Sequence, residues 1–408
     1  MSDIYNELLI VGAAIFAGLV AARVFDRIGI PEIIGMILVG LLLGPSTLGI
    51  LTPEHSPLYK QVIDLALAFI GFFIGAELRI DELRNLGKNI LYILFFEVVV
   101  VFIVVFTGIY AVTNEWVLAI FLASISVSTA PAATADVIWE HRAKGPLSTT
   151  ILALIGFDDV VAILVYTLAT LYAFQAMGIA SIEGDSLSYF ISYLGYSVLI
   201  GVILGGIVIL LGSILKKRRD IILLTIGVVI FNSGLVELLN GSELISALII
   251  GFIYENYFKE SPLSIDLLRE LTAPLFTLFF VIIGSRLSLA GLGEIGIIGL
   301  VYIACSLIGK ATGSKIGAIT SGAEEKTRKY IGFTLFTQGG VALGLAHLLY
   351  FELVKAGPEF IALANKVVNI TTTGVLILLV VGPLSLRYAL IKAGEAYKIT
   401  REELVFED

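Results

Sequence analysis

Apolar runs of about twenty residues follow one another along almost the whole chain, parted only by short charged or Gly/Pro-marked breaks. In the hydrocarbon interior of a membrane a backbone must satisfy its own polar groups, so such runs can fold only as helices or as a closed barrel. Their length and lack of period-2 alternation leave helices. An all-α polytopic membrane protein is therefore expected. Charged residues make up 15% of the chain and apolar residues 58%, whereas soluble domains carry about a quarter charged residues. No hydrophilic block interrupts the runs, so no separate soluble domain is expected. The opening "MSDIYNE" is acidic and lacks the basic n-region of a secretory leader. Cys305 is the only cysteine, which removes a disulfide framework from consideration.

Cutting at the breaks gives thirteen candidate helices, beginning near residues 7, 32, 61, 89, 115, 147, 189, 220, 242, 265, 291, 329 and 359. With the N-terminus outside, the cytoplasmic loops collect Arg23 and Arg27, then Arg79, Arg84 and Lys88, then Arg142 and Lys144. They also take "KKRR" at 216–219, Lys259 and Arg269, and Lys326, Arg328 and Lys329. The opposite loops hold little beyond Lys60, Arg286 and Lys355. The positive-inside bias then places the C-terminus in the cytoplasm, the orientation expected of a multi-pass protein of the plasma membrane.

Two strings recur. "PEIIGMILVG" (31–40) returns as "SELISALIIG" (242–251), keeping Glu32 with Glu243 and Gly40 with Gly251; "FFIGAELRI" (72–80) returns as "VIIGSRLSL" (281–289), keeping Gly75 with Gly284. Seven helices separate the members of each pair, and an odd number inverts the second copy. Inverted repeats are typical of secondary transporters, whose ion site lies at midplane where the copies meet. The division expected is a first repeat over 7–175, a linker helix over 189–219, a second repeat over 220–386 and a short tail over 387–408.

"LIGFDDVVAI" (154–163) sets Asp158 and Asp159 side by side inside one of these runs. Each ionised carboxylate at a helix centre costs about 2.5–3.5 kcal/mol to insert, so the pair calls for a functional reason. Asp158, Lys310, Thr129 and Gln338 each lie about 10–12 residues from the cytoplasmic end of their helix, roughly 15–18 Å deep and near midplane. Thr129 and Gln338 fall in "SVSTAPAAT" (126–134) and "FTQGGVALG" (336–344), the central stretches least suited to a continuous helix. Pro131 removes a backbone donor and Gly339 loosens the chain, so unwinding there would expose the carbonyls around Ser128 and Thr129. A tolerated kink explains either stretch alone equally well; two in matching halves point to an ion site. Successive helical residues point about 100° apart, so the two aspartates are expected to do different jobs. Lys310 is the natural counter-ion of one, leaving the other to exchange its ligand. Glu97 shares the depth as a secondary candidate: a third acidic group, a partner for Lys310, or a protonated side chain bonded between helices. Lys366 falls near the outer surface, where snorkelling suffices.

"IPEIIGMILVGLLLGPSTLGIL", "GFFIGAEL", the Asp158–Asp159 pair, Lys310 in "LIGKATGSKIG" and the Gln-Gly-Gly break together resemble the monovalent cation:proton antiporter superfamily. The nearest branch is the one holding Kef-type potassium exchangers and electrogenic sodium/proton antiporters. The resemblance implies a mobile core of helices 4–6 and 11–13 with two broken, crossing helices. It also implies a dimerisation scaffold of helices 1–3 and 8–10, hence a homodimer, with helix 7 linking the two. It assigns Asp159 as the carboxylate that exchanges Na+ for a proton and Asp158 as the partner of Lys310. The stretch "STAPAATAD" departs from the more aliphatic string of many relatives.

The function expected is secondary active exchange of Na+ or Li+ for H+ by alternating access, electrogenic, with no cofactor beyond the transported ions and no nucleic-acid partner. A buried carboxylate cannot hold a proton and a hard cation together, and that competition is what couples them. Potassium/proton exchange on the same architecture is the alternative. A remote one is an intramembrane aspartyl protease, which also pairs buried aspartates. Its Tyr-Asp and Gly-x-Gly-Asp contexts do not occur here.

Overall fold

A computed structural model describes residues 7–28, 30–51, 57–80, 87–179, 186–215, 217–239, 241–258, 261–287 and 289–396. Of the basic residues used to orient the chain, Arg84, Lys216 and Lys259 lie outside this set, as does the tail beyond residue 396.

Every described regular element is helical. In chain order they are α1 (Glu7–Arg27), α2 (Glu32–Leu43), α3 (Pro57–Glu77), α4 (Lys88–Thr113), α5 (Trp116–Ser126), α6 (Pro131–Glu140), α7 (Pro146–Ala176) and α8 (Ser186–Ile214). There follow α9 (Arg218–Leu239), α10 (Glu243–Tyr257), α11 (Ser261–Ser285), α12 (Leu289–Thr320), α13 (Glu325–Tyr330), α14 (Gly340–Ala356) and α15 (Ile361–Ala393). Each of the thirteen expected segments has a counterpart, two of them as broken pairs, α5/α6 and α13/α14. Among the described residues ten helical spans are long and apolar enough to cross a membrane.

Two segments differ from expectation. Both members of the first repeated string, α2 with 12 residues and α10 with 15, fall short of the roughly 20 needed to span. Gly44 and Pro45 stop α2, because the residue before a proline is driven out of helical geometry. The Ser242 hydroxyl caps the start of α10 by accepting from the Ile245 N–H at 3.3 Å, and Phe258 leaves the helix extended.

The chain forms two compact units. One holds α1–α3 and α8–α11, the other α4–α7 and α12–α15, apart from short ends of α7, α12 and α14. The segment expected to act as a linker, α8, packs within the first unit, against α10.

In the first unit the repeated strings pack on each other in exchanged fashion, α2 on α11 and α3 on α10. A Cβ on Gly40 would overlap the Val281 carbonyl oxygen, and one on Gly284 the Ile37 carbonyl oxygen. Gly75 and Gly251 stand in the same relation to the Leu248 and Phe72 oxygens. Four glycines at repeated positions thus bring four helices into backbone contact, the close approach that small residues permit within a membrane. Side chains follow the same symmetry. Ser46 Oγ donates to the Leu287 carbonyl at 2.9 Å, and Asn256 Nδ2 donates to the Leu78 carbonyl at 2.6 Å.

In the second unit the end of the chain holds the start of the helix that carries the aspartates. Glu395 Oε1 accepts from the Leu147 N–H at 2.9 Å and Oε2 from the Ser148 N–H at 2.8 Å, so its buried carboxylate caps α7. Gly145 leaves room for it, since a Cβ there would overlap the carboxyl group. Within the stretch expected as a tail over 387–408, α15 runs to Ala393, Gly394 turns the chain at φ +68°, and Glu395 is buried; residues 397–408 lie outside the described set. A carboxylate cap on a helix N-terminus contributes about 1–2 kcal/mol, so Glu395→Ala is expected to lower the apparent Tm in detergent. Glu395→Gln, which keeps one acceptor, is expected to lose about half as much. Lys366, expected at a surface, pairs there with Glu115 at 2.8 Å, both side chains 44% exposed.

Candidate functional site

The site is built where two helices fail to continue. After Ser126 the chain leaves α5 and resumes a helix only at Pro131; after the 3-10 turn Ile331–Phe333 it runs irregularly to α14 at Gly340. In an unbroken helix the Ser126 carbonyl would accept from the Ala130 N–H, and the Val127 carbonyl from the N–H of residue 131. Neither bond forms. Pro131 has no N–H to give, and Ala130, preceding a proline, is held extended at φ −92°, ψ 103°. Ala130 N instead donates to the Thr337 carbonyl of the second broken stretch at 2.8 Å.

Side chains replace the missing donors. Gln338 Nε2 donates to the Ser126 carbonyl at 2.9 Å, and Lys310 Nζ donates to the Val127 carbonyl at 2.9 Å. The two broken stretches therefore cross with their backbone groups satisfied by each other and by α12. Close approach at the crossing needs Gly339, whose Cβ would come within 2.7 Å of the Ala130 Cβ. Gly382 of α15 likewise leaves room for Thr337.

Lys310 makes three bonds, to the Val127 carbonyl, to Thr129 Oγ1 at 2.9 Å and to Glu97 Oε1 at 3.1 Å. These use all three ammonium donors. Both members of the ion pair are buried, Lys310 and Glu97 each 1% exposed. The cation thus lies against the carbonyl end of α5, where the helix dipole favours positive charge. The Thr129 hydroxyl and backbone N–H face the Asp158 carboxylate, just before the start of α6, where the dipole favours negative charge. Thr129 consequently stands between Lys310 and Asp158. Asp159, the next residue on α7, is 2% exposed.

Of the expected site residues, Thr129, Asp158, Lys310, Gln338, Gly339 and Pro131 come together at the crossing. Ser128 belongs to the broken stretch by its backbone only, because its hydroxyl turns back to the Ile125 carbonyl at 3.2 Å. The pairing of Lys310 with Asp158 is corrected: its ion partner is Glu97 on α4. Gly309, Gly313 and Gly317 supply the physical reason. A Cβ on any of them would come within 2.8 Å of α4 backbone, at Val101, Glu97 and Ile93 in turn, so α12 lies directly against α4 at the level of Glu97. The fourth-residue glycine spacing in "GKATGSKIG" carries that information in the sequence.

A further residue has no sequence signal of its own. Tyr302, in an apolar run and fully buried, donates from its hydroxyl to Gln338 Oε1 at 3.2 Å. Tyr302, Ser306 and Lys310 recur every fourth residue and so share one face of α12.

Comparison with known proteins bears on family and fold. The family described as sodium/hydrogen exchanger, transmembrane, matches residues 11–392. The ammonium/H(+) antiporter subunit AmhT of Alkalihalophilus pseudofirmus is 26% identical over 373 residues, covering 89% of this chain and 92% of that protein. The Na(+)/H(+)-K(+) antiporter GerN of Bacillus cereus is 24% identical over 334 residues, covering 78% and 82%. Among solved structures, the sodium proton antiporter MjNhaP1 of Methanocaldococcus jannaschii at pH 8 superposes with a TM-score of 0.79 at 18% identity. The match covers 95% of this chain and 98% of that one.

Proposed function

The chain belongs to the sodium/hydrogen exchanger family, and from that premise we propose that it exchanges Na+ or Li+ for protons across a membrane by alternating access. The family is one of transporters, so the protease alternative is set aside. Asp159 is the carboxylate that holds cation and proton in turn, with oxygen donors from the broken stretch around Ser128 and Thr129 completing the shell of a hard cation. Asp158 carries the second proton. With Lys310 held by Glu97, both aspartates are left to titrate against the cation, which makes exchange of more than one proton per cation, and hence charge movement, the natural outcome.

The observation that carries this reading is the ammonium of Lys310 with its three donors committed to Glu97, Val127 and Thr129. An ammonium so committed balances Glu97 and leaves exchange of the cation to the aspartates. The unit of α4–α7 and α12–α15 is the moving part. The unit of α1–α3 and α8–α11 is the scaffold through which two copies pair. The protein sits in the plasma membrane with its N-terminus outside.

The test is flux in liposomes holding an internal pH dye, with Na+, Li+ or K+ added and the membrane potential clamped or free. Proton movement driven by Na+ and Li+ and altered by voltage is the expected result. A response to K+ alone would replace sodium by potassium. Indifference to voltage would remove the second proton.

A further inference from the structure

We propose that Tyr302 is a positioning residue of the exchange site: through Gln338, its hydroxyl sets how closely the two broken stretches cross, and thereby the affinity for the cation. The proposal rests on the reading above.

Packing alone asks only for a phenyl ring at 302. The ring lies against Gly374 of α15, where a Cβ would come within 2.6 Å of Cε1. Burying a hydroxyl without a partner is unfavourable, and this one has a partner in Gln338 Oε1. The bond holds the Gln338 amide in the one orientation that serves the Ser126 carbonyl. The Ser126 carbonyl can only accept, so the amide must turn Nε2 toward it, and Oε1 is then left facing Tyr302. A tyrosine hydroxyl can donate into that oxygen; phenylalanine cannot.

The consequence reaches the ion site along the chain. Ser126 O lost its helical donor because Ala130 N is committed to Thr337, and Gln338 supplies the replacement. The second stretch thus both takes a hydrogen from the first, at Thr337, and gives one to it, at Gln338. Freed to rotate, the amide gives up the second of these bonds. Thr129 lies between Ser126 and Ala130 and carries the hydroxyl that stands between Lys310 and Asp158. A looser crossing therefore blurs the geometry of the cation's oxygen donors without removing any titrating group.

Tyr302→Phe keeps the ring over Gly374, so the variant is expected to fold. A neutral hydrogen bond of this kind corresponds to about a threefold to tenfold change in an equilibrium constant. In the liposome assay the KM for the transported cation is expected to rise by about that factor, with the maximal rate kept within about twofold. Gln338→Met is expected to raise KM as well, and the double variant to match Gln338→Met alone, because both changes break one chain of contacts. In the purified protein, Tyr302→Phe is also expected to speed amide hydrogen exchange over residues 127–130 and 334–340, with α7 unchanged. An unchanged KM, or effects of the two substitutions that simply multiply, would overturn the proposal. Should the wild type show no cation-driven proton flux at all, the reading under the previous heading falls, and hydrogen exchange alone decides the role of Tyr302: unchanged rates at the crossing sink it.

Discussion

Asp159→Asn vesicles are expected to show the proton leak of empty liposomes under any gradient of Na+ or Li+. Asparagine keeps the shape of the side chain and removes both the negative charge and the titrating proton. The competition on which exchange depends is then gone. The same change is expected to leave the protein as stable as the wild type or more so. A carboxylate 2% exposed suffers a desolvation penalty of several kcal/mol when ionised, and the amide avoids it. Lost flux with a retained or raised apparent Tm is the combined signature. Flux at the normal rate in the variant would move the exchanging group elsewhere.

Removal of the Lys310 ammonium is expected to have the largest effect on stability. Lys310→Ala leaves Glu97 buried without its counter-ion and the Val127 carbonyl without a donor, where Pro131 has none to offer. Breaking a buried ion pair from one side costs about 3–5 kcal/mol, and protonation of Glu97 recovers part of that without helping Val127. A ranking follows. Lys310→Ala destabilises more than Glu97→Gln, and Glu97→Gln more than Asp158→Asn. Thermal unfolding of the four proteins in one detergent checks it. If Asp158→Asn proved the more damaging of the two acid replacements, the ion pair would belong to Asp158 after all.

Much of this arrangement is legible from local features of the sequence. The breaks at Pro131 and Gly339 announce themselves, because a missing N–H and a missing Cβ act on the chain wherever it lies. The depths of Asp158, Lys310, Thr129 and Gln338 follow from the constant rise of a helix. What depends on which helix lies beside which is harder to read. Depth alone sets Lys310 level with Glu97 and Asp158 alike, and the resemblance names Asp158; the glycine spacing of α12 decides for Glu97 by pressing that helix onto α4. The short lengths of α2 and α10 are harder to read, because the sequence marks where each begins, near 32 and 242, more clearly than how soon Gly44 and Phe258 end it. Tyr302 stands in an apolar run like any core aromatic, and its hydroxyl's task is visible only once Gln338 is placed against it. Glu395 falls in the stretch expected as a short tail, and nothing near it in sequence names Leu147 and Ser148 as its partners.

The glycine contacts of the first unit bear on how the molecule can move. Where α2 meets α11 and α3 meets α10, main chain touches main chain, and no side chain intervenes that could change rotamer to absorb a displacement. Such joints act as welds, and sliding at any of them would drive peptide oxygens into α-carbons. Displacement within this four-helix cluster is therefore costly, and its helices hold together as one body.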